Sequence, residues 1–482
     1  MPRRRSPSRA PDVPRTPVWA APDVHRDAGM TASDAELPTF SPRAAKAVLA
    51  VLIALFLALG WMYSLRTPAA TADQHNPDEN AHMLYVASLA SGHLPVFRAG
   101  EANYEAHQPP LYYALCAPVY AAARHAGPET ATRAVRGVSL LLGAALVVAA
   151  FLCVCALFPA QLLVALGTAA FIGLLPMNLA LSASVSNDAL TNLLMALALW
   201  RLARAAQDAG QFAHAPRLLW RHALVLGLLI GIGIWTKTST LLLLPTVACA
   251  CYFLVKQGLV LARDGGRLAL VSLGVGVLLG APWLLRNQVL YGDPLAQHLF
   301  ETAFGNTAQA PDLIRYVFGG SMGAYLAGVA RWTFASFWGV FDSMRVFWGQ
   351  DPHGHPPSPA QPLPSLYVLL VLCCLASGAG LWMLARRKHV WTPAQSAMLR
   401  VFGVLVALAG LAHLRFVLVF FQAQGRYWYP ALLPLALFFV LGLRGLAVRP
   451  AAFPLLLGLM TAGLLLLNID TLAFVLLARF MQ

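Results

Sequence analysis

Only 11% of the 482 residues are charged, so charges that interrupt apolar surroundings mark where chemistry could occur. The densest group is Asn76-Pro77-Asp78-Glu79-Asn80-Ala81-His82. Asp78, His82 and Tyr85 fall at i, i+4 and i+7, a spacing that puts all three on one helical face. A carboxylate held beside an imidazole in this way could act as a general base. The same residues also make a good helix start, with Asn and Pro at the first positions and acids in the first turn; both readings stand. Downstream, Tyr104-Glu105-Ala106-His107-Gln108-Pro109-Pro110-Leu111-Tyr112-Tyr113 leads into an apolar stretch ending near Ala123. That stretch is shorter than the roughly 20 residues a bilayer requires and reads as an interfacial helix. Tyr112 and Tyr113 read as aromatics at headgroup level, whereas His107 and Gln108 are candidates for a cleft. Asp188, in Ser186-Asn187-Asp188, is the only acid between Glu129 and Asp208 and either caps the next helix or shares a cleft with Asp78.

Two cations stand against the general charge pattern. Lys237, in Trp235-Thr236-Lys237-Thr238, and Arg426, in Gln424-Gly425-Arg426-Tyr427, both fall at the outer ends of expected helices. A basic group near the membrane centre costs about 2.5–3.5 kcal/mol on insertion scales, so each either snorkels to the interface or has an anionic partner. Arg415, with His413 close by, lies deeper in its apolar run and is expected to face the bundle.

The elements that must carry these residues follow from composition. Hydrophobic residues make up 59% of the chain, far beyond a soluble domain, and the expected fold is an all-α polytopic membrane protein. Apolar runs begin at Ala47–Ser64 and continue at about 135–157, 161–181, 189–206, 222–236, 239–255, 268–285, 364–385, 397–421, 428–443 and 451–477, about eleven spans in all. The net charge of +14 sits mostly in short segments beside these runs, a topology signal rather than a nucleic-acid surface. Segments 201–221 (four Arg, one Asp), 256–267 (three basic, one acidic) and Arg386 to Lys388 face the cytoplasm on that basis. Residues 65–132, with six acidic and three basic side chains, and 286–363, with five and four, face outward. Both are too long to be connectors alone. Residues 1–46, with eight basic residues, five acidic residues and eight prolines, read as a disordered cytoplasmic tail, leaving 47–482 as the membrane domain. Cys153/Cys155, Cys249/Cys251 and Cys373/Cys374 lie inside apolar runs, and only Cys116 lies near a water-facing segment, so neither a disulfide framework nor a zinc site is expected. The pairs Gly227/Gly231 and Gly276/Gly280 have the small-xxx-small spacing of packed helices.

Taken in order, Pro-Asp-Glu-x-x-His, His-Gln-Pro-Pro-Leu-Tyr-Tyr, Ser-Asn-Asp-Ala-Leu, Thr-Lys-Thr and Gln-Gly-Arg-Tyr-x-x-Pro resemble the GT-C superfamily of membrane glycosyltransferases across about residues 47–450. The pattern is similar to a bacterial branch of predicted membrane glycosyltransferases, and more distantly to the protein O-mannosyltransferases and the lipid A aminoarabinose transferase. The resemblance implies GT-C-like periplasmic loops carrying interfacial helices, a multi-pass protein of the bacterial inner membrane with its N-terminus in the cytoplasm, and a sugar donor on a polyprenyl phosphate. It implies Asp78, with its neighbour Glu79, in acceptor activation, and Asp188 at the second acidic position. His82, His107 and Gln108 would line the acceptor cleft, and Lys237 and Arg426 would bind the donor phosphate. The acceptor could be glycan, lipid or protein. No cofactor is demanded, but some members use a divalent metal, for which Asp78 and Asp188, with His82, are the candidates. The alternative is a polytopic transporter or lipid flippase, since Arg415 and paired carboxylates would also suit a substrate pathway.

Overall fold

The computed structural model describes residues 41–355, 357–387 and 391–480; most of the expected tail and Lys388 lie outside them. The first helix, α1 (Pro42–Arg66), starts five residues before the expected Ala47. Ser41 Oγ accepts the Ala44 N–H, and Pro42 occupies the first helical position, where its missing N–H is not needed. The first long loop then carries α2 (Glu79–Ala90), a 3-10 turn at Tyr104–His107 and α3 (Leu111–Ala123). There follow α4 (Pro128–Leu157), α5 (Leu162–Leu174), α6 (Pro176–Ser182), α7 (Asp188–Asp208), α8 (Pro216–Ile234), α9 (Leu243–Lys256) and α10 (Ala262–Tyr291). Because α10 runs to Tyr291, the middle long loop begins later than the expected position 286. It holds α11 (Gln297–Ala303), α12 (Ala310–Tyr316), α13 (Met322–Trp338) and a small antiparallel hairpin of β1 (Val340–Phe341) and β2 (Val346–Phe347). The chain continues with α14 (Ser365–Arg386), α15 (Pro393–Val417), a 3-10 turn at Gly425–Ala431 and α16 (Leu432–Leu446). It closes with α17 (Ala452–Asp470), a π turn at Thr471–Leu476 and α18 (Leu477–Phe480).

Nine helices among the described residues are long and apolar enough to cross a membrane, and the bent pair α5–α6 would make a tenth. The helix α7, expected as another span, is not among them because Asn192, Arg201 and Arg204 lower its hydropathy. The bundle encloses it along most of its length. Between α5 and α6 the chain bends by 62°, because Leu175 precedes a proline and takes extended backbone. The bend ends the run inside the protein and lets the Ser184–Asp188 turn sit buried rather than at a surface. The glycine spacing does what it predicts: a Cβ on Gly276 would meet Ile230, and one on Gly231 would meet Leu279, so α8 and α10 pack backbone to backbone.

Tyr112 and Tyr113 are not belt aromatics. Both are fully buried, with Tyr85, Val135, Val185 and Leu190, in a compact cluster among α2, α3, α4 and α7. Tyr112 shares a 2.6 Å hydrogen bond with Ser139, and the Tyr113 ring stacks on Tyr85 at 3.9 Å. Cys116, expected near water, is buried in the same cluster. This cluster floors the site and fixes the face that α2 presents. Arg415 also departs from expectation: its side chain is 66% exposed and pairs with Glu301 of α11 at 3.4 Å, outside the bundle interior.

Candidate active site

The site forms where four separate chain segments meet. Asp78 precedes α2 in the left-handed backbone region, at φ 61°, a conformation that costs most residues about 1–2 kcal/mol but that Asp tolerates better. Its carboxylate accepts from Arg426 Nη2 at 2.6 Å and from the Tyr104 hydroxyl at 3.1 Å. Arg426 lies in the 3-10 turn before α16, and its Nη1 is 3.7 Å from Asp188. Asp188, at the start of α7, accepts from Lys237 Nζ at 2.6 Å and from the Ser186 hydroxyl at 3.2 Å. Lys237 stands immediately before the 3-10 turn Thr238–Leu242 that leads into α9. Five residues singled out from the sequence (Asp78, His82, Asp188, Lys237 and Arg426) therefore share one place. The Arg426 Nε is buried with no acceptor among the described residues, so this guanidinium retains an unused donor.

His82 Nδ1 lies 2.8 Å from the Tyr113 hydroxyl and 3.9 Å from the Glu105 carboxylate. Gln108 borders the site through Asn187, whose side chain donates to it at 3.3 Å. His107 flanks Gln108 at 3.1 Å and packs against Phe97 and Phe300. Glu79 stands apart. Its two oxygens accept from Arg136 Nε and Nη2 at 2.8 and 2.7 Å, and from Asn76 and the Val185 backbone at 2.9 Å each. Arg136 also donates to the carbonyls of Ser64, Thr67 and Pro68. Both oxygens of the Glu79 carboxylate are thus engaged by donors from Arg136, Asn76 and Val185.

Charge sets the protonation of these groups. Burial alone would raise the Asp78 carboxyl, but Arg426, helped by His82 and Tyr104, outweighs it and holds the group at about 2. Glu105 goes the other way: burial, with Asp78 nearby, lifts it above the usual carboxylate value. Burial lowers His82 against the pull of Glu105 and Asp78, and pushes His107 down to about 4.

Asp78, His82 and Glu105 offer ligand atoms that all lie within 4.8 Å of one another, an oxygen and nitrogen set suited to a divalent cation. Asp188, the expected partner of Asp78 in such a set, is not part of this group and lies against Lys237 and Arg426. Sequence reasoning passed over Glu105, although it lies two residues before His107 in a stretch already singled out. Beside the site, a cavity of about 650 Å³ opens between α13, α14, α15 and α16, lined by apolar side chains such as Phe334, Trp338, Leu381 and Phe438. Trp428, two residues from Arg426, is part of its wall and donates to His413 at 3.0 Å.

No protein-family model matches the chain, and no curated protein sequence matches it. Solved structures do. The archaeal oligosaccharyltransferase AglB of Archaeoglobus fulgidus, in complex with an inhibitory peptide and a dolichol-phosphate, superposes at a TM-score of 0.57 and 14% identity, over 90% of this chain and 56% of its own. The chain has the GT-C fold. The A. fulgidus oligosaccharyltransferase tethered to an acceptor peptide through a disulfide superposes at 0.55 and 14% identity, over 91% and 55%. ArnT from Cupriavidus metallidurans, bound to undecaprenyl phosphate, covers 89% of this chain and 80% of its own at 17% identity, with a TM-score of 0.40. The chain thus spans little more than half the length of the oligosaccharyltransferase. In this GT-C fold, α2 and the turns before α7, α9 and α16 are the elements that deliver the site.

Proposed function

We propose that the protein is an inverting glycosyltransferase that moves a sugar from a polyprenyl-phosphate carrier to an acceptor hydroxyl, at the periplasmic face of a bacterial inner membrane. The observation that carries this reading is the meeting of Asp78 with Arg426, and of Asp188 with Lys237 and Arg426, in one site beside an apolar cavity. Two cations suit the phosphate of a lipid carrier, and the unused Arg426 Nε gives that phosphate a donor not committed to a carboxylate. The cavity beside Trp428 gives the carrier chain an apolar seat. Supporting this, the A. fulgidus oligosaccharyltransferase has been solved with a dolichol-phosphate and with an acceptor peptide.

In this mechanism the acceptor oxygen attacks the anomeric carbon in line as the bond from that carbon to the phosphate oxygen breaks, inverting the centre. The acceptor's proton passes to Asp78, and the carrier leaves as a phosphate anion stabilised by Lys237 and Arg426. While paired with Arg426, Asp78 is a weak base. The arriving phosphate competes for the same guanidinium, and as Arg426 turns to it, Asp78 recovers basicity. Glu79, through Arg136, sets where α2 begins and so where Asp78 stands. A divalent metal would be held by Asp78, His82 and Glu105, where it would supply positive charge beside the reacting phosphate. An A. fulgidus oligosaccharyltransferase structure in complex with Zn and sulfate, at a TM-score of 0.50, is in keeping with such a site.

The test is Asp78→Asn in membrane vesicles supplied with labelled polyprenyl-phosphate sugars. Transfer is expected to fall by about 10²–10⁴, the range for losing a general base, while the protein stays folded. Transfer near the wild-type rate in a folded variant would refute the assignment.

A further inference from the structure

A second ionic cluster lies beside the loop that carries Asp78. The Asp342 side chain is fully buried, in the turn joining β1 to β2, and its carboxylate pairs with His75 Nδ1 at 2.7 Å. It also accepts from Arg479 Nε at 3.0 Å and lies 2.9 Å from Arg479 Nη2. Arg479 donates in addition to the Pro352 carbonyl at 2.9 Å. The His75 backbone carbonyl accepts from the Ser343 N–H at 2.9 Å, and its ring packs against Phe480 at 4.8 Å. His75 is thus gripped through both side chain and backbone, three residues before Asp78.

The turn itself is strained. Asp342, Ser343 and Met344 have φ values of 50°, 49° and 72°, three consecutive non-glycine residues in the left-handed region. Such backbone persists only where its surroundings over-determine it, and it concentrates at functional sites. Arg479 is also reached in an unusual way: α17 passes into α18 through the π turn at Thr471–Leu476, a feature frequent at functional positions. Trp348, just after β2, fixes that turn by donating to the Thr471 hydroxyl at 3.0 Å.

We infer that Asp342 and Arg479 are positioning residues for Asp78, clamping His75 so that the Asp78 carboxylate meets Arg426 and the acceptor. The loop is pinned on both flanks of Asp78. Glu79 is locked to Arg136 on one side and His75 to Asp342 on the other, with Gln74 donating to the Tyr104 hydroxyl at 2.6 Å and that hydroxyl donating in turn to Asp78. Asp78 itself has left-handed backbone, so releasing one flank lets it relax away from the productive position. A displacement of about 1 Å can cost on the order of a hundredfold in rate.

The inference rests on the proposed reaction, but one of its tests does not. In Arg479→Gln, carbodiimide labelling of Asp78, followed by mass spectrometry, is expected to speed up about tenfold as the carboxylate leaves Arg426, with labelling of Asp188 unchanged. His75→Gln removes the other grip on Asp342 and is expected to act in the same direction, so poor folding of one variant leaves the other to decide. In transfer assays with the labelled polyprenyl-phosphate sugar that the wild type consumes, Arg479→Gln is expected to lower kcat by about tenfold or more and to leave the donor KM within twofold. In an Asp78→Asn background the same change is expected to have no further effect, an outcome a general loss of structure does not give. Unchanged Asp78 labelling in both variants, or rate losses that multiply in the double variant, would overturn the inference. If Asp78→Asn alone leaves transfer intact, the proposed reaction fails while the labelling result still decides the clamp.

Discussion

Arg426 is the residue on which the proposed chemistry is most exposed to test. Its guanidinium lies 2.6 Å from Asp78 and 3.7 Å from Asp188, and it is the largest influence holding Asp78 at about 2 against the effect of burial. Replacing it by glutamine removes that cation and leaves burial opposed only by His82 and Tyr104. Asp78 should then return to, or rise past, the ordinary carboxylate value of about 3.9, a shift of about two pH units or more. The base is active as the carboxylate, so activity is lost as pH falls through its pKa. In kcat/KM, which reports the free enzyme, the wild type should show no Asp78 limb between about pH 4 and 8. In Arg426→Gln an acid limb should enter the lower part of that window, with a tenfold loss for each further pH unit. In the wild-type kcat, which reports the donor-bound enzyme, the limb should lie at higher pH than in kcat/KM, because the phosphate has drawn the guanidinium off Asp78. The measurement is initial rate against pH in vesicles at saturating and limiting donor. A variant profile that merely scales the wild-type one, with no displaced limb, refutes the coupling between Arg426 and the base.

Two further outcomes follow. Glu79→Gln leaves the buried Arg136 charge without its partner and should cost about 3–5 kcal/mol, read as a lowered unfolding midpoint in detergent. Because Arg136 and its neighbours overcome burial and hold the Glu79 carboxyl below its ordinary value, this pair's stabilisation is present above that value and lost as pH falls below it, so the variant should also lose part of the wild type's acid sensitivity. Lys237→Ala should raise the donor KM by about 10–100-fold, the range for a charge-assisted contact of about 1.5–3 kcal/mol, while acceptor dependence stays within a factor of two; an unchanged donor KM would remove Lys237 from the phosphate site.

Much of the fold was legible because hydrocarbon imposes length and polarity on every crossing helix. The long apolar runs and the two long loops read directly. The α7 helix, expected at 189–206, runs over Asp188–Asp208 and carries Asn192, Arg201 and Arg204 where protein encloses most of it. In the site, Asp78, Asp188, Lys237 and Arg426 were visible as charges out of place, a signal that survives without knowledge of contacts. Glu105 was passed over because an acid in a polar loop looks ordinary until its burial beside His82 is known. Glu79 looked like an equal of Asp78, and only the four donors around its carboxylate separate the two. Tyr112 and Tyr113 read as interfacial because sequence shows that an aromatic is near a boundary, not which side it faces. The Asp342 clamp left no readable trace, since it joins residues 267 and 137 positions apart.

The pairing of Asp78 with Arg426 joins residues 348 positions apart. At a synthesis rate of about 5–20 residues per second, the acidic loop emerges roughly 17–70 s before its guanidinium exists. During that interval the ribosome-bound chain lacks the guanidinium that pairs with Asp78 and Asp188, so on the proposed reaction a product terminated before α16 lacks part of its phosphate site. On the proposed reaction, competence waits for the turn before α16 and, later still, for Arg479 to close on Asp342.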